Sequence, residues 1–297
     1  MIVIASLGGL GNQMFQYAFY LSLKQINNMV KFDISYFKND IKCHNGFELE
    51  DIFDIRIDYS TDNENILAGK PGKVISFFMN RNILLDIVKR FYKNYYISDA
   101  KDAITYIPTF RKKEKGYLVG FWQSEKYFKN IENLLKNDFK FKKALDEKNI
   151  RLMDMIKNTN SVSIHVRRGD YLSIENKNFQ NVCTLIYYKN AIKYIEKYVN
   201  NPFYYIFSND IEWCRMNLNL KNATYVDWNV GEDSYKDMQM MSYCKHNIIA
   251  NSTFSWWGAW LNGNPNKIVC VPEKWFDLPG CETKDVCPDE WVRIKIK

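Results

Sequence analysis

The decapeptide SVSIHVRRGD, residues 161–170, runs through small and β-branched residues and then stops on two arginines, a glycine and an aspartate. Such a run reads as a buried strand with a charged turn at its carboxyl end. Reading outward from it, YYKNAIKYIEKYV (187–199) has helical spacing and FYYIFSND (203–210) is again strand-like. The rhythm continues with IEWCRMNL (211–218) as a short helix, ATYVDWN (223–229) as a strand and SYKDMQMMSYC (234–244) as a helix. HNIIANST (246–253), FSWWGAWLN (254–262) and KIVCVPE (267–273) then read as strand, helix and strand. Strand and helix alternating over about 110 residues predicts a parallel sheet covered by helices on both faces.

The first half begins in the same way, with a strand at 2–6, a helix at 12–25 and a strand at 30–35. GYLVGFWQS (116–124) is a further strand, and YFKNIENLLKNDF (127–139) and ALDEKNIRLMDMIKN (144–158) are helical. Between about 40 and 112 the pattern is mixed, with helical spacing in ISFFMNRNILLDIVKRFY (75–92), and it reads as an irregular insertion. The expectation is two α/β domains, 1–158 and 159–297, with the boundary near 155–162.

A chain of 297 residues can bury a sizeable core, and 46% hydrophobic with 25% charged residues is a globular composition. The 16% aromatic content suits surfaces that meet sugars or bases. A net charge of +7 favours anionic partners, although solvated lysines account for it equally well. The basic run Arg111-Lys112-Lys113-Glu114-Lys115 is too short for a nucleic-acid arm. Seven cysteines, none at the two-residue gap of a zinc or redox motif, read as reduced thiols. No apolar stretch approaches the roughly 20 residues of a membrane span, and the start lacks a signal-peptide pattern, so a cytoplasmic protein with at most peripheral membrane contact is expected.

In a parallel α/β sheet, ligands sit outside the carboxyl ends of the strands. The residues there are Gly8 to Gln13, His165 to Asp170, Ser208 to Asp210 and Asn251 to Ser255. Arg167 and Arg168 place two permanent cations at a strand end, where guanidinium forks match diphosphate oxygens; taken as an isolated pair they are more often surface cations beside a tight turn. Ser252, Thr253 and Ser255 open a helix whose amides and hydroxyls suit an anion, unless serine merely caps the helix. Asp237, on the preceding helix, has the acceptor pair that guanine's ring and amino N–H groups require. The opening Gly9-Leu10-Gly11-Asn12-Gln13-Met14 half matches a dinucleotide fingerprint, with Asp33 about 20 residues on as the ribose acid. That alternative, a nicotinamide-dependent oxidoreductase, is weakest at Met14, where a small residue should let helix and strand approach.

With GGLGNQMFQYA (8–18), HVRRGDY (165–171), FSNDIEWC (207–214), DMQMMSYCKHNIIANSTFSWWGAWL (237–261) and the tail EWVRI (290–294) in view, the chain resembles the bacterial α-1,2-fucosyltransferases of glycosyltransferase family 11. Weaker matches are HNGFEL (44–49) and GFWQSEKYF (120–128). The resemblance implies a GT-B architecture, two Rossmann-like domains facing across a cleft, with the acceptor on the N-terminal side and the donor on the C-terminal side. It also implies an inverting, metal-independent transfer of L-fucose from GDP-β-L-fucose to the 2-hydroxyl of a galactose-terminated glycan, lipid-linked or related to O-antigen. By motif match, Arg167 would contact the donor β-phosphate. His165, Arg168, Asp210, Asp237, Ser252, Thr253 and Ser255 would line the donor. Gly9, Gly11 and Gln13 would form a lid, with Asn12 facing the reaction centre. The resemblance leaves Asp170, His44 and Glu175 as candidate bases, and a loose, late proton loss without a dedicated base stays open. So does an inactive nucleotide-sugar-binding module.

Overall fold

A computed structural model describes residues 1–39, 45–72, 93–169, 171, 178–279, 281 and 283–296, and divides the chain into two compact units, Met1–Lys140 and Phe141–Lys297. The predicted helix at 75–92 and residues His44, Asp170 and Glu175 lie outside the described residues.

The first unit starts with β1 (Ile2–Ala5), buried throughout, followed by α1 (Leu10–Lys24) and β2 (Val30–Asp33). Short helices follow at α2 (Ser35–Asn39), α3 (Leu49–Ile52) and α4 (Asp62–Ala68), the last started by a reciprocal Thr61–Glu64 capping box. After them come β3 (Tyr95–Ile97), α5 (Ala100–Ala103), β4 (Gly116–Val119) and α6 (Glu132–Asp138). The four strands pair in parallel in the order β2-β1-β4-β3.

The second unit opens with α7 (Glu147–Lys157), capped by Asp146, whose side chain accepts from the Asn149 amide. This helix packs on the next strand, β5 (Asn160–Val166), and on α10 (Tyr235–Tyr243), so it belongs to the second unit. The division falls at Lys140/Phe141, ahead of this helix, whereas the boundary expected at 155–162 lies behind it, where Asn158-Thr159-Asn160 separates the charged helix from the buried strand. Between β5 and α10 run α8 (Leu185–Tyr198), β6 (Pro202–Ser208), α9 (Ile211–Leu218) and β7 (Ala223–Val226). After α10 come β8 (His246–Ile248), α11 (Thr253–Trp260), β9 (Val269–Pro272) and β10 (Val292–Ile294).

All six strands are parallel, in the order β10-β9-β8-β5-β6-β7. Numbered from β5, that is 3-2-1-4-5-6 from one edge, the dinucleotide-fold order. Every residue of β5 after Asn160 is buried, as a strand covered on both faces must be. Val162, Ile164 and Val166 pack with Tyr187, Ala191 and Ile195 of α8 in one core cluster. Trp256 and Trp257 of α11 are fully buried, and Trp256 packs its ring against Trp291.

Candidate functional site

Chain direction creates the site in the second unit. From β5 the chain leaves through α8 toward β6, whereas β8, on the other side of β5, is reached from β7 through α10. The loops after β5 and β8 therefore depart in opposite directions and leave a crevice at the carboxyl ends. The paired register sets Ile164 opposite Ile248, so the arginine turn and the segment after Ala250 follow neighbouring strand ends. Tyr171 joins them: its hydroxyl donates to the Asn251 carbonyl (3.0 Å), and the Arg167 guanidinium carbon stands 5.8 Å from its ring centre. Two tyrosines of α8 hold the strand ends from below. Tyr188 donates to the His165 carbonyl (3.1 Å), and Tyr187 donates to the Ile249 carbonyl.

The two arginines have different surroundings. Arg168 donates from Nε to Asp210 (3.2 Å) and lies 4.2 Å over the Trp213 ring, while Asp210 also accepts from the Trp213 amide to cap α9. Arg168 and Asp210, expected to line the donor, thus brace the turn and each other. Asn209 completes the brace by accepting from the Arg168 and Gly169 amides (3.0 and 3.3 Å). A side chain at Gly169 would bring its Cβ within 2.6 Å of the Asn209 amide nitrogen, so Asn209 would have to shift out of its brace to make room. Sequence placed Asn209 among the strand-end residues 208–210 but gave it no role. Arg167 is half-buried beside Tyr171.

At the start of α11, Ser252 has extended backbone and its side chain makes no capping hydrogen bond, so simple capping does not explain this serine. Ser255 is fully buried and donates to the Ser252 carbonyl (3.3 Å), which turns it inward instead of toward a ligand. Thr253 stays half-exposed. Two buried polar atoms at these strand ends have no hydrogen-bond partner among the described residues: His165 Nδ1, on a residue 4% exposed, and Asn251 Oδ1, on a residue 1% exposed. Buried groups of this kind are costly unless a ligand or water completes them. Burial, reinforced by Arg167, pushes the His165 imidazole down to about 3, so it is neutral at working pH.

Asp237 stands in the first turn of α10, where Oδ1 accepts from the Asn229 amide nitrogen (2.8 Å). Burial pushes its carboxyl up to about 8, and the Asn229 bond offsets part of that rise.

The glycine loop occupies the first unit's own switch point, after β1 and beside the loop that follows β4. Its polar groups are engaged by helix α1 itself. Gln16 accepts from Ser6 Oγ (3.0 Å) and the Leu7 amide (3.1 Å), and donates to the Leu7 and Gly120 carbonyls. Gln13 donates to the Gly8 and Gly46 carbonyls and accepts from the Glu48 amide (2.9 Å). Gln13, expected as part of the lid, is fully buried and clasps the loop internally. Gly9 is the extended N-cap residue of α1 and Gly11 is buried in its first turn. Asn12 stays half-exposed, its Oδ1 accepting from Gln123 Nε2 (3.0 Å). Asp33, the ribose acid of the oxidoreductase alternative, is 4% exposed and already accepts from Tyr117, Lys70 and Ser35. It has no access to a ribose.

Among the described residues no group of three His, Cys, Asp or Glu side chains is placed to hold a metal ion, and no helix is long and apolar enough to cross a membrane. The family model for glycosyl transferase family 11 matches residues 1–295. An α-1,2-colitosyltransferase of Escherichia coli is 36% identical, with 99% of each chain covered. The O-antigen biosynthesis glycosyltransferase WbnK of Escherichia coli is 33% identical over 97% of this chain and 98% of its own. A galactoside α-(1,2)-fucosyltransferase of Ateles belzebuth is 28% identical over 60% of this chain and 52% of its own. Among solved structures, the fucosyltransferase NodZ from Bradyrhizobium superposes with a TM-score of 0.51 at 13% identity, covering 86% of this chain and 91% of that one. NodZ co-crystallized with GDP gives 0.50 at 13% identity, over 86% of this chain and 90% of that one. At such identity the likeness is one of fold.

Proposed function

The chain belongs to glycosyl transferase family 11 and has the GT-B type of α/β fold, and within that family we propose that it moves L-fucose from GDP-β-L-fucose to the 2-hydroxyl of a terminal galactose, with inversion to the α-linkage. The observation that carries this reading is the crevice between β5 and β8, where Arg167, the start of α11 and two unsatisfied buried polar atoms lie at neighbouring strand ends. A nucleoside diphosphate suits such strand ends: its anionic oxygens match a guanidinium and helix amides, and its polar groups can complete His165 and Asn251. Asp237 supplies the acceptor pair for guanine.

As the sugar leaves, positive charge builds on its ring and negative charge on the β-phosphate. A fixed guanidinium aimed at that oxygen lowers the barrier, because its interaction grows along the reaction coordinate. Arg167 takes this role, while Arg168, Asn209 and Asp210 keep its turn rigid. Neutral His165 is a hydrogen-bonding neighbour of the donor and not a proton carrier. Asn12, anchored through Gln123, presents its amide to the sugar or the acceptor hydroxyl. No metal is required in this reading, since Arg167 and the helix amides carry the leaving-group charge. The acceptor is a galactose-terminated, lipid-linked glycan, and a basic chain of net charge +7 suits work at the anionic cytoplasmic face of a membrane.

A second donor is favoured by one observation: the colitosyltransferase matches essentially the whole chain. Colitose is L-fucose without its 3-hydroxyl. Incubating the purified chain with galactosides and either GDP-fucose or GDP-colitose, with and without a chelator, tests both donors. Transfer from GDP-fucose to the galactose 2-hydroxyl that survives chelation is the expected result. Transfer from GDP-colitose alone would replace the donor, and transfer from neither would refute the proposal.

A further inference from the structure

A buried amide chain leads to Asp237 from the far side of the second unit. Asp146, which caps α7, is held well below the usual carboxylate range by Lys236, at 2.9 Å, and by the Asn149 amide. It is an acceptor only. Asn149, with no exposed surface, donates from Nδ2 to Asp146 (2.8 Å) and to Asn229 Oδ1 (2.8 Å). Its Oδ1 accepts from the Trp228 indole N–H (3.2 Å) and from Asn229 Nδ2 (3.0 Å). The remaining Asn229 N–H goes to Asp237 Oδ1 (2.8 Å).

An isolated amide can exchange its oxygen and nitrogen by a half-turn, but neither amide can do so here. An indole N–H only donates and an ionised carboxylate only accepts, so Asn149 must face its oxygen toward Trp228 and its nitrogen toward Asp146. The reciprocal pair then fixes Asn229, which can offer Asp237 nothing except an N–H. The sense set at Trp228 and Asp146 is thus transmitted through two amides to the carboxyl.

We propose that Trp228, Asn149 and Asn229 form a specificity-determining relay that biases Asp237 toward its ionised, hydrogen-bond-accepting form, and so sets the preference for guanine over adenine nucleotides. The relay rests on the reading of Asp237 as the group that meets the base. Guanine offers two N–H donors along the edge in question, and a carboxylate held as an acceptor satisfies both. Adenine offers one donor beside a ring acceptor, and is better served by a carboxyl that keeps its proton and donates it. The N–H from Asn229 favours the ionised form and occupies Oδ1, so any proton is confined to the other oxygen. Asn229 and Asn149 act through Asp237 and are positioning residues.

The test is calorimetric titration of the full-length chain with GDP and with ADP, for wild type, Asn229→Ala, Trp228→Phe and Asp237→Ala, with thermal unfolding to confirm that each variant is folded. Trp228→Phe keeps an aromatic ring beside Lys148, which stands 4.0 Å over the indole, and removes only the donor. The expected result is a fall of about tenfold or more in the GDP-over-ADP preference for Asn229→Ala, the scale of one hydrogen bond to a charged group, and a smaller fall for Trp228→Phe. A merely structural role would weaken both nucleotides together and leave the ratio unchanged. If Asp237→Ala loses the preference while both relay variants keep it, the relay is overturned and the base-reading role stands. If Asp237→Ala keeps the preference, the base-reading role fails and the relay with it.

Discussion

Arg167 and Arg168 are adjacent in sequence and opposite in role. Sequence marks both as cations at a strand end, but it cannot show that Asp210 and Trp213, on the next strand–helix unit, take the second. Replacing Arg167 by lysine should lower kcat on the order of a hundredfold with modest change in donor KM, since a point charge loses the fork aimed at the phosphate; single-turnover kinetics would read this. Arg168→Ala, by contrast, should cost about 1–2 kcal/mol of stability in urea unfolding through a lost half-buried ion pair and ring contact, with weaker donor binding as a secondary effect. At Asp237 the chemistry was legible in its residue type, but its environment was not. Burial raises the carboxyl from 3.8 to about 8, so in the free chain it stabilises the fold most fully below 3.8 and that contribution is lost as pH rises through about 8. Guanine needs the ionised form. GDP affinity should therefore climb with pH, by about tenfold per unit well below 8, and level off above it. Calorimetry across that window checks the sign: flat or falling affinity would remove Asp237 from the base.

Elements were legible where local chemistry starts and stops them. The helix expected at 211–218 is found at Ile211–Leu218, because Asp210 caps it and Asn219 ends it in the left-handed region at φ 43°. Strands ended earlier than the apolar runs suggested, since 120–124 and 249–252 are irregular backbone, largely buried, and not strand. The three-residue β3 was missed because it is half-exposed and too short for an alternation to register. In the glycine loop the sequence drew attention to the glycines, Asn12 and Gln13, while the part of Gln13 and Gln16, one turn apart, in tying the loop to itself needed the fold to be seen. Gln16→Leu should test that clasp. It would leave Ser6 Oγ, the Leu7 amide and carbonyl and the Gly120 carbonyl without these bonds, at a cost of about 2–4 kcal/mol in equilibrium urea unfolding. A loss below 1 kcal/mol would mean that solvent already serves the loop.

At the scale of the whole molecule, the sequence yields two parallel α/β units but not their strand orders, because β5 meets β8 only after the chain from 167 to 245 has formed β6 and β7 on its other side. Strand order decides where a nucleotide goes, and both sheets have a switch point, so the chain carries two sites of the same topological kind. Their chemistry differs. In the first unit, the loop's carbonyls and amides are tied by Gln13 and Gln16, and Asp33 is engaged by Tyr117 and Lys70. In the second, His165 Nδ1 and Asn251 Oδ1 are buried without partners among the described residues, beside Arg167 and the start of α11. A bound ligand slows exchange of the amides whose local opening it opposes. Hydrogen exchange with saturating GDP should therefore show added protection concentrated in 161–169, 229–238 and 246–257, with the strand β1 and the loop 6–13 little changed. Protection concentrated at 6–13 would instead place the nucleotide on the glycine loop, and the strand order of the second unit would then have no bearing on the donor.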